Sequence, residues 1–193
     1  MQVGVLALQG GFEPHLAMLS SLGVAAREVR SPLALREVTH LVLPGGESTT
    51  LHHLLELFGM WELVRERHAA GELALLGTCA GAILLGRAAD ERQRPPRLAV
   101  LDAELERNAY GRQRESFSAR IELEGEPLEA VFIRAPRIVR VGPQARVLAR
   151  HAGDPVLVEA PGVLAATFHP ELGRDARVHR RFLGLAVRGA IAV

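Results

Sequence analysis

The only cysteine of this chain lies in a segment whose residue types could support nucleophilic catalysis. Cys79 stands between Gly77 and Gly81, after the apolar run 73–76 and before the helix-forming run 82–85. This order predicts a buried strand, a tight turn and a helix, with the cysteine on a nucleophile elbow and glycines where a Cβ atom would collide. The helix N-terminus would favour a thiolate and an adjacent oxyanion. A lone cysteine can equally be an inert buried side chain, so this segment alone leaves both interpretations open.

A histidine and a glutamate two positions apart follow a later apolar run. His169, Pro170 and Glu171 come directly after residues 165–168. Residues i and i+2 of an extended chain project to the same side, and proline favours the extended form for the residue before it. We therefore expect His169 and Glu171 to lie together, with the carboxylate on one imidazole nitrogen and the other nitrogen free for a nucleophile. The same residues could also form a solvated surface turn.

A third segment connects an apolar strand to a helix and contains two glycines. It reads Pro44-Gly45-Gly46-Glu47-Ser48. Glycines leave backbone N–H groups open to a ligand, and the start of a helix favours a carboxylate. Ser48 is also a suitable N-cap, which is the purely structural interpretation. Together with the elbow, a glycine N–H of this segment and the N–H of Ala80 could form a two-donor oxyanion hole.

Strands and helices alternate in the first half of the chain, which predicts a doubly wound, mostly parallel, flavodoxin-like α/β sheet. The turns at Gln9, Gly45 and Cys79 follow predicted strands, so they should face one crevice at the carboxyl edge of the sheet. The predicted strands are 3–8, 24–29, 40–43 and 73–76, and the predicted helices are 14–22, 49–57 and 61–69.

The second half has a different pattern of short runs without a helical period, which predicts mostly antiparallel β structure with a return to the central sheet. We expect a polar loop over 87–97 and a last helix over 175–188 that covers the sheet. No internal repeat or linker is evident, so the sequence predicts a single domain over 1–193. The predicted strands are 98–105, 116–123, 130–133, 138–141, 146–150, 156–159 and 163–167.

Composition excludes several classes of function. The 193 residues carry a formal charge of +1, with 48% hydrophobic and 23% charged residues, a balance that argues against nucleic acid or membrane as the main partner. No apolar run is long enough to span a membrane, and no basic region precedes the first strand, which argues against a signal peptide. One cysteine cannot form an internal disulfide, which favours the cytoplasm.

All 23 basic residues are arginine. The absence of lysine excludes a Walker-type phosphate loop and Schiff-base chemistry. Histidines other than His169 show no zinc-site spacing, and we predict structural or exposed positions for them, with no metal and no cofactor in the chain. They are His15, His40, His52, His53, His68, His151 and His179.

Further segments extend the pattern of the cysteine, histidine and glycine motifs. They are Leu6-x-Leu8-Gln9-Gly10, Leu43-Pro44-Gly45-Gly46-Glu47-Ser48-Thr49-Thr50, Glu106-Arg107-Asn108-x-x-Gly111-Arg112-Gln113-x-x-Ser116-Phe117, Phe132-Ile133-Arg134-Ala135-Pro136 and Phe168-His169-Pro170-Glu171-Leu172. Together these motifs resemble the class I, triad-type glutamine amidotransferases. Within that class the resemblance is to the glutaminase subunits of pyridoxal 5′-phosphate synthase, and it runs essentially from end to end.

The resemblance implies hydrolysis of L-glutamine to glutamate and ammonia without a cofactor. The ammonia would pass to a partner synthase subunit that builds pyridoxal 5′-phosphate from ribose 5-phosphate and glyceraldehyde 3-phosphate, and the glutaminase would be nearly inactive until that partner binds. By this likeness Cys79 forms a glutamyl thioester, His169 transfers the proton and Glu171 orients the imidazole. Backbone donors at Gly46 and Ala80 would hold the oxyanion. The residues implied to line the glutamine site are Gly46, Glu47, Ser48, Arg107, Ile133 and Arg134, and those implied near the partner interface are Gln9 and Gly10.

Three alternatives remain beside this interpretation. The glutaminase of another amidotransferase, such as imidazole glycerol phosphate synthase, would share the triad but not the block 107–117. A cysteine-elbow α/β protein could instead use an early carboxylate such as Glu13 beside Cys79, and Glu171 would then be dispensable. A non-catalytic α/β scaffold is the third alternative. The missing lysines favour an ammonia source over a subunit that assembles a cofactor through imines.

Overall fold

The computed structural model describes residues 1–88, 95–107 and 116–187. Its strands are β1 (Val3–Leu6), β2 (Ala26–Val29), β3 (His40–Leu43), β4 (Ala74–Thr78), β5 (Ala103–Glu106), β6 (Ser116–Leu123), β7 (Glu126–Ile133), β8 (Arg137–Val141), β9 (Arg146–His151), β10 (Asp154–Ala160) and β11 (Val163–Ala166). Its helices are α1 (Phe12–Ser21), α2 (Pro32–Arg36), α3 (Ser48–Leu57), α4 (Trp61–Ala69), α5 (Ala80–Leu85) and α6 (Arg177–Leu183), with a 3₁₀ turn at Pro170–Leu172.

Seven strands form a central sheet in the order β2-β1-β3-β4-β11-β10-β9. The first five are parallel to one another, whereas β10 and β9 continue the sheet antiparallel. The pairs β5–β8 and β6–β7 form two separate antiparallel ribbons. The predicted fold class is therefore confirmed, including the return of the chain to the central sheet through β11.

Apolar residues that alternate along each strand pack against two different layers. On β3, Leu41 and Leu43 belong to the cluster that includes Leu51 of α3, so this face lies under α3, α4 and α5. Val42 belongs instead to the opposite cluster, which contains residues of α1, α6 and the β6–β7 ribbon such as Phe182. Because both faces are covered, the parallel strands β1, β3, β4 and β11 are mostly apolar and buried along their length, whereas the edge strand β2 carries exposed charged residues.

Residues 98–102 are not part of a strand, although the sequence predicts one over 98–105. The backbone N–H of Leu98 donates to the carbonyl of Leu84 at 2.7 Å, and Leu101 N–H donates to Leu85 at 3.0 Å. These bonds satisfy the free carbonyls at the end of α5, so the segment serves as a helix C-terminal cap and only Ala103–Glu106 pairs as β5.

Helix boundaries differ from the predicted ones for local reasons. Helix α1 begins at Phe12, two residues before the predicted start, because Pro14 is tolerated within the first turn. The short helix α2 was not predicted, although Ser31 caps it by accepting from Ala34 N–H. Helix α6 ends at Leu183, where Gly184 N–H bonds back to two carbonyls of the last turn.

Parts of three predictions fall on residues that the structure does not describe. They are the middle of the polar loop 87–97, positions 108–115 of the block 107–117, and the end of the predicted last helix at 188. Within the described ranges, no helix combines the length and the apolar character needed to cross a membrane.

Candidate active site

A cleft of about 300 Å³ opens at the carboxyl edge of the parallel strands. Strand β11 runs parallel to β4 with Ala166 opposite Thr78, so the residues that follow these two strands emerge side by side. The predicted crevice is thus present, and ten residues with predicted roles line it. These are Gly46, Glu47, Ser48, Cys79, Ala80, Arg107, Ile133, Arg134, His169 and Glu171.

Cys79 stands on a strained turn between β4 and α5. Its backbone lies at φ 48° and ψ −103°, a left-handed conformation that is unfavourable for a residue with a side chain. A Cβ atom on Gly81 would lie 2.0 Å from the carbonyl oxygen of Leu43, and one on Gly77 would lie 2.6 Å from the side chain of Leu85. The glycines of the motif are therefore required by close packing of strand and helix, as predicted.

His169 and Glu171 meet, but not through the extended backbone that the sequence suggests. Pro170 opens a 3₁₀ turn, and this turn brings Nδ1 of His169 within 2.7 Å of Oε1 of Glu171. The backbone N–H of His169 donates to the carbonyl of Val131 at 2.8 Å, which ties the turn to β7. Because both side chains are largely buried, their contact is shielded from solvent.

The electrostatic environment favours the protonated imidazole of His169. Burial acts to lower the pKa of His169, but Cys79 and the Glu171 carboxylate outweigh it and raise the pKa to about 10. The thiol of Cys79 donates to the carbonyl of Ile133 at 3.6 Å, and Nε2 of His169 has no hydrogen-bond partner among the described residues. Cys79 and His169 line the same cleft, and Cys79 contributes to the raised pKa of His169.

The loop after β3 packs directly against this histidine. A Cβ atom on Gly45 would lie 2.4 Å from Cε1 of His169, and one on Gly10 would lie 2.0 Å from the carbonyl oxygen of Gly45. The side-chain oxygen of Gln9 accepts from Glu47 N–H at 3.2 Å. Gln9 and Gly10 therefore lie against the glycine loop rather than on the cleft wall, and they support its backbone.

Helix α3 begins beside the cleft, and Glu47 rather than Ser48 caps it. The Glu47 carboxylate accepts from Thr49 and Thr50 N–H at 3.2 and 2.7 Å, whereas Ser48 is buried within the first turn. Arg107 donates to the same carboxylate at 3.0 Å. Burial acts to raise the pKa of Glu47, but these hydrogen bonds and the Arg107 charge lower it, so the carboxylate is ionised at neutral pH.

The opposite wall comes from the end of β7. Ile133 offers its carbonyl to Cys79, and Arg134 follows at φ 43°, which is unusual for a residue other than glycine. This second strained backbone position directs the chain away from the ribbon beside the cleft. Ile133 at the end of β7 and Arg134 after it thus both line the cleft.

Two histidines to which the sequence assigned no role lie behind the site. His15 of α1 and His179 of α6 are fully buried and bond to each other at 2.9 Å, and His15 also approaches Glu171 at 3.4 Å. The sequence feature that could have indicated a position near the site for His15 is its place in the first helical turn after a strand that ends at the crevice. Glu13, the alternative carboxylate, is exposed and does not line the cleft.

Comparison with known proteins agrees with this geometry. Residues 5–188 match the SNO glutamine amidotransferase family. A protein of Thermus thermophilus named pyridoxal 5′-phosphate synthase subunit PdxT is 53% identical, over 95% of this chain and 97% of the relative. A protein of the same name from Deinococcus radiodurans is 51% identical, over 96% of this chain and 97% of the relative.

Solved structures show the same relationship. A crystal structure described as a glutamine amidotransferase superposes with a TM-score of 0.89 at 50% identity, over 95% of this chain and 97% of that one. A more distant structure, described as a putative GMP synthase subunit of Thermoplasma acidophilum, has a TM-score of 0.65 at 18% identity and shares the fold. The sequence match, the relatives and the fold agree, and the chain belongs to the SNO glutamine amidotransferase family.

Proposed function

We propose that this chain is the glutaminase subunit of pyridoxal 5′-phosphate synthase. It hydrolyses L-glutamine to L-glutamate and ammonia, and it delivers the ammonia to a synthase subunit for vitamin B6 biosynthesis. The observation that carries the proposal is the convergence of Cys79, His169 and Glu171 in one cleft of a chain about half identical to proteins of that name. The family match over nearly the whole chain supports the same activity.

The acylation step uses the three side chains in order. Cys79 gives its thiol proton to His169 Nε2, where the raised pKa of His169 holds it, and Sγ attacks the side-chain amide carbon of glutamine. His169 then gives this proton to the departing nitrogen, so that ammonia leaves and a glutamyl thioester remains. Glu171 holds the Nδ1 proton at 2.7 Å and stabilises the imidazolium that forms between these transfers.

We propose that two backbone N–H groups, those of Ala80 and Gly46, hold the oxyanion of the tetrahedral intermediate. Ala80 is the first residue of α5, so its N–H has no partner within the helix, and the helix dipole favours negative charge there. Gly46 lines the same cleft from the loop after β3. In the second half of the reaction a water attacks the thioester, with His169 as base, and the same donors would hold the second oxyanion.

The remaining cleft residues suit the charged end of glutamine. The side-chain amide must reach Cys79, so the α-carboxylate and α-ammonium groups lie toward the outer cleft, where Glu47 and Arg107 present opposite charges. Ser48, Ile133 and Arg134 line the walls between them. We propose that these residues select glutamine by complementary charge and by the length of the pocket.

A partner subunit could control the site through Gln9 and Gly10. Both residues contact the glycine loop: Gln9 accepts from Glu47 N–H, and the N–H of Gly11, next to Gly10, donates to Gly45 O at 3.0 Å. A synthase subunit bound at Gln9 would therefore act on the loop that carries Gly46, which gives a physical route to partner-dependent activity. Ammonia protonates in water, so direct transfer within such a complex preserves its nucleophilic form.

We also propose one domain over 1–193 and a place in the cytoplasm. The first proposal is supported by one sheet that joins strands from both halves of the chain. The second is supported by the single cysteine, which is free and which the mechanism needs as a thiol.

The direct test is glutamate release from glutamine by the purified chain, alone and with the cognate synthase subunit. Strong activation by that subunit, abolished in Cys79→Ala, is the expected result. Activity that is indifferent to the synthase would indicate the glutaminase of another amidotransferase. A stable complex that releases no glutamate would reject the catalytic assignment and leave the scaffold interpretation.

A further inference from the structure

A chain of buried hydrogen-bonding groups continues inward from Glu171. Oε1 of Glu171 contacts His169, whereas Oε2 lies 3.4 Å from Nε2 of His15. His15 Nε2 is also 3.2 Å from Oγ1 of Thr78, and His15 Nδ1 is 2.9 Å from Nε2 of His179. These side chains form no metal-binding cluster within the described part of the chain, so their contacts are explained by hydrogen bonding.

Both inner histidines are neutral at neutral pH. Burial, with smaller contributions from His179 and His169, lowers the pKa of His15 well below its usual range. Burial lowers the pKa of His179 to about 4. Each ring therefore carries one N–H donor and one bare acceptor nitrogen, and the direction of every hydrogen bond depends on which nitrogen holds the proton.

Only one assignment of these protons avoids an unfavourable contact. With both protons on Nε2, His179 donates to His15, and the N–H of His15 faces Thr78 and the Glu171 carboxylate. Of the four ring nitrogens of the pair, only Nδ1 of His179 is then left without a partner, and it is a bare acceptor. The reverse assignment turns the lone pair of His15 Nε2 toward Glu171 Oε2 and leaves His179 Nδ1 as an unpaired buried N–H, which is more costly.

We propose that His15, oriented by His179, is a positioning residue that holds the Glu171 carboxylate in line with His169. This inference rests on the proposed glutaminase function. Glu171 Oε2 has no hydrogen bond of good geometry within the described residues, and His15 Nε2 is the donor next to it. Without that donor the carboxylate could rotate, and the orientation of the His169 ring would no longer be fixed from behind.

A neutral donor suits this position better than a cation. An arginine or lysine behind Glu171 would neutralise the carboxylate and weaken its stabilisation of the His169 imidazolium. A neutral imidazole N–H orients the oxygen but leaves the negative charge available to His169. The groups that face the carboxylate are His169 from its own turn and His15 from α1. Thr78 of β4 bonds to His15, and His179 of α6 lies behind it.

Three replacements of His15 distinguish the effect of losing the hydrogen-bond donor from the effect of losing the volume of the ring. In His15→Gln the side-chain amide nitrogen occupies the place of Nε2 and can still donate toward Glu171. In His15→Asn the amide nitrogen occupies the place of Nδ1 and cannot reach Glu171. In His15→Met the volume is largely retained and no donor is present.

The kinetic test measures kcat and KM for glutamine in the complex with the synthase subunit. We expect His15→Met and His15→Asn to lower kcat by about tenfold to a hundredfold, the usual effect of losing a group that orients a functional side chain, with KM changed less than about twofold. His15→Gln should restore most of kcat. Equal losses in all three variants, or wild-type kcat in His15→Met, would overturn the proposal.

A spectroscopic test on the free subunit does not depend on activity. Nitrogen-15 spectra of the imidazole rings at neutral pH should show the proton of His15 and of His179 on Nε2. The Nδ1 proton of His169 should be retained in wild type and His15→Gln and be broadened by exchange in His15→Met. A proton on Nδ1 of His15 would refute the proposed direction, whereas failure of the wild-type complex to release glutamate would refute only the glutaminase function.

Discussion

Replacement of His179 offers a quantitative test of the buried histidine pair. His179 is fully buried on α6, and burial lowers its pKa from 6.5 to about 4. The variant His179→Gln keeps a side-chain N–H that can donate to His15 but has no ionisation in the accessible pH range. The replacement therefore removes the titration of His179 and retains its hydrogen bond to His15.

The sign and the size of the effect follow from proton linkage. Because the pKa of His179 is lower in the folded chain, the unfolded chain takes up the proton first as the pH falls. The buried neutral His179 therefore contributes to the free energy of unfolding above pH 6.5, and this contribution is lost as the pH falls toward about 4. The full shift corresponds to about 3 kcal/mol of unfolding free energy, of which about 2 kcal/mol is lost at pH 5.

His169 changes the pH dependence of stability in the opposite direction. The pH dependence of wild-type stability alone would therefore not report on His179. The pKa of His169 is raised to about 10, and its stabilisation is fully present below about pH 6.5 and is lost as the pH rises toward 10. His169 and His15 are present in both proteins. The difference between wild type and His179→Gln at each pH therefore isolates the contribution of His179.

The measurement is urea unfolding of both proteins at pH 8 and pH 5 with linear extrapolation. We expect the stability advantage of wild type over His179→Gln to be about 2 kcal/mol smaller at pH 5 than at pH 8. His53→Gln, at an exposed position of α3, is the matched histidine control. An advantage that is the same at both pH values would refute the account of His179 as a buried neutral group.

Three further predictions concern catalysis by the complex. Glu171→Gln should lower kcat at least about a hundredfold with little change in thermal stability, because the imidazolium of His169 loses its charged partner. Gly45→Ala should fold but lose most of its kcat, because the new Cβ would lie 2.4 Å from the His169 ring and would displace it. Arg107→Gln should raise KM for glutamine several-fold more than it lowers kcat, because it removes the cation beside Glu47.

Each of these variants has a contradicting result, and the glycine and arginine variants also have a matched control. Near-wild-type turnover in Glu171→Gln would exclude the proposed triad. Gly184→Ala, where the nearest atom is 3.4 Å from the new Cβ, controls for the glycine replacement, and equal effects at both glycines would remove the steric argument. Arg120→Gln, at an exposed position of β6, controls for loss of an arginine, and an unchanged KM in Arg107→Gln would exclude the binding role.

Much of the fold follows from local patterns that parallel sheets impose. The apolar runs that became β1, β3 and β4 are continuous because helices cover both faces, and this signal depends little on distant contacts. The segment 98–102 shows where such signals fail. It is as apolar as a strand, but its N–H groups bond to the end of α5, and only the tertiary position of that helix determines this.

The candidate site shows the same division between local and distant information. Gly77, Cys79 and Gly81 were recognisable because a tight strand-to-helix turn restricts residue types locally. The partnership of His15 with His179 was not recognisable, because 164 residues separate them and their contact exists only after α1 and α6 pack on the same face. Glu47 as the cap of α3 is an intermediate case, since both it and Ser48 are chemically suitable.

The central claim is that Cys79 carries the glutamyl group of the substrate. The most direct measurement is intact-mass analysis of the complex with the synthase subunit, mixed with glutamine and quenched rapidly in acid. We predict an added glutamyl group on this chain, localised to Cys79, absent in Cys79→Ala and formed as fast as glutamate is first released. Glutamate release without such an adduct, or an adduct that persists in Cys79→Ala, would contradict the account.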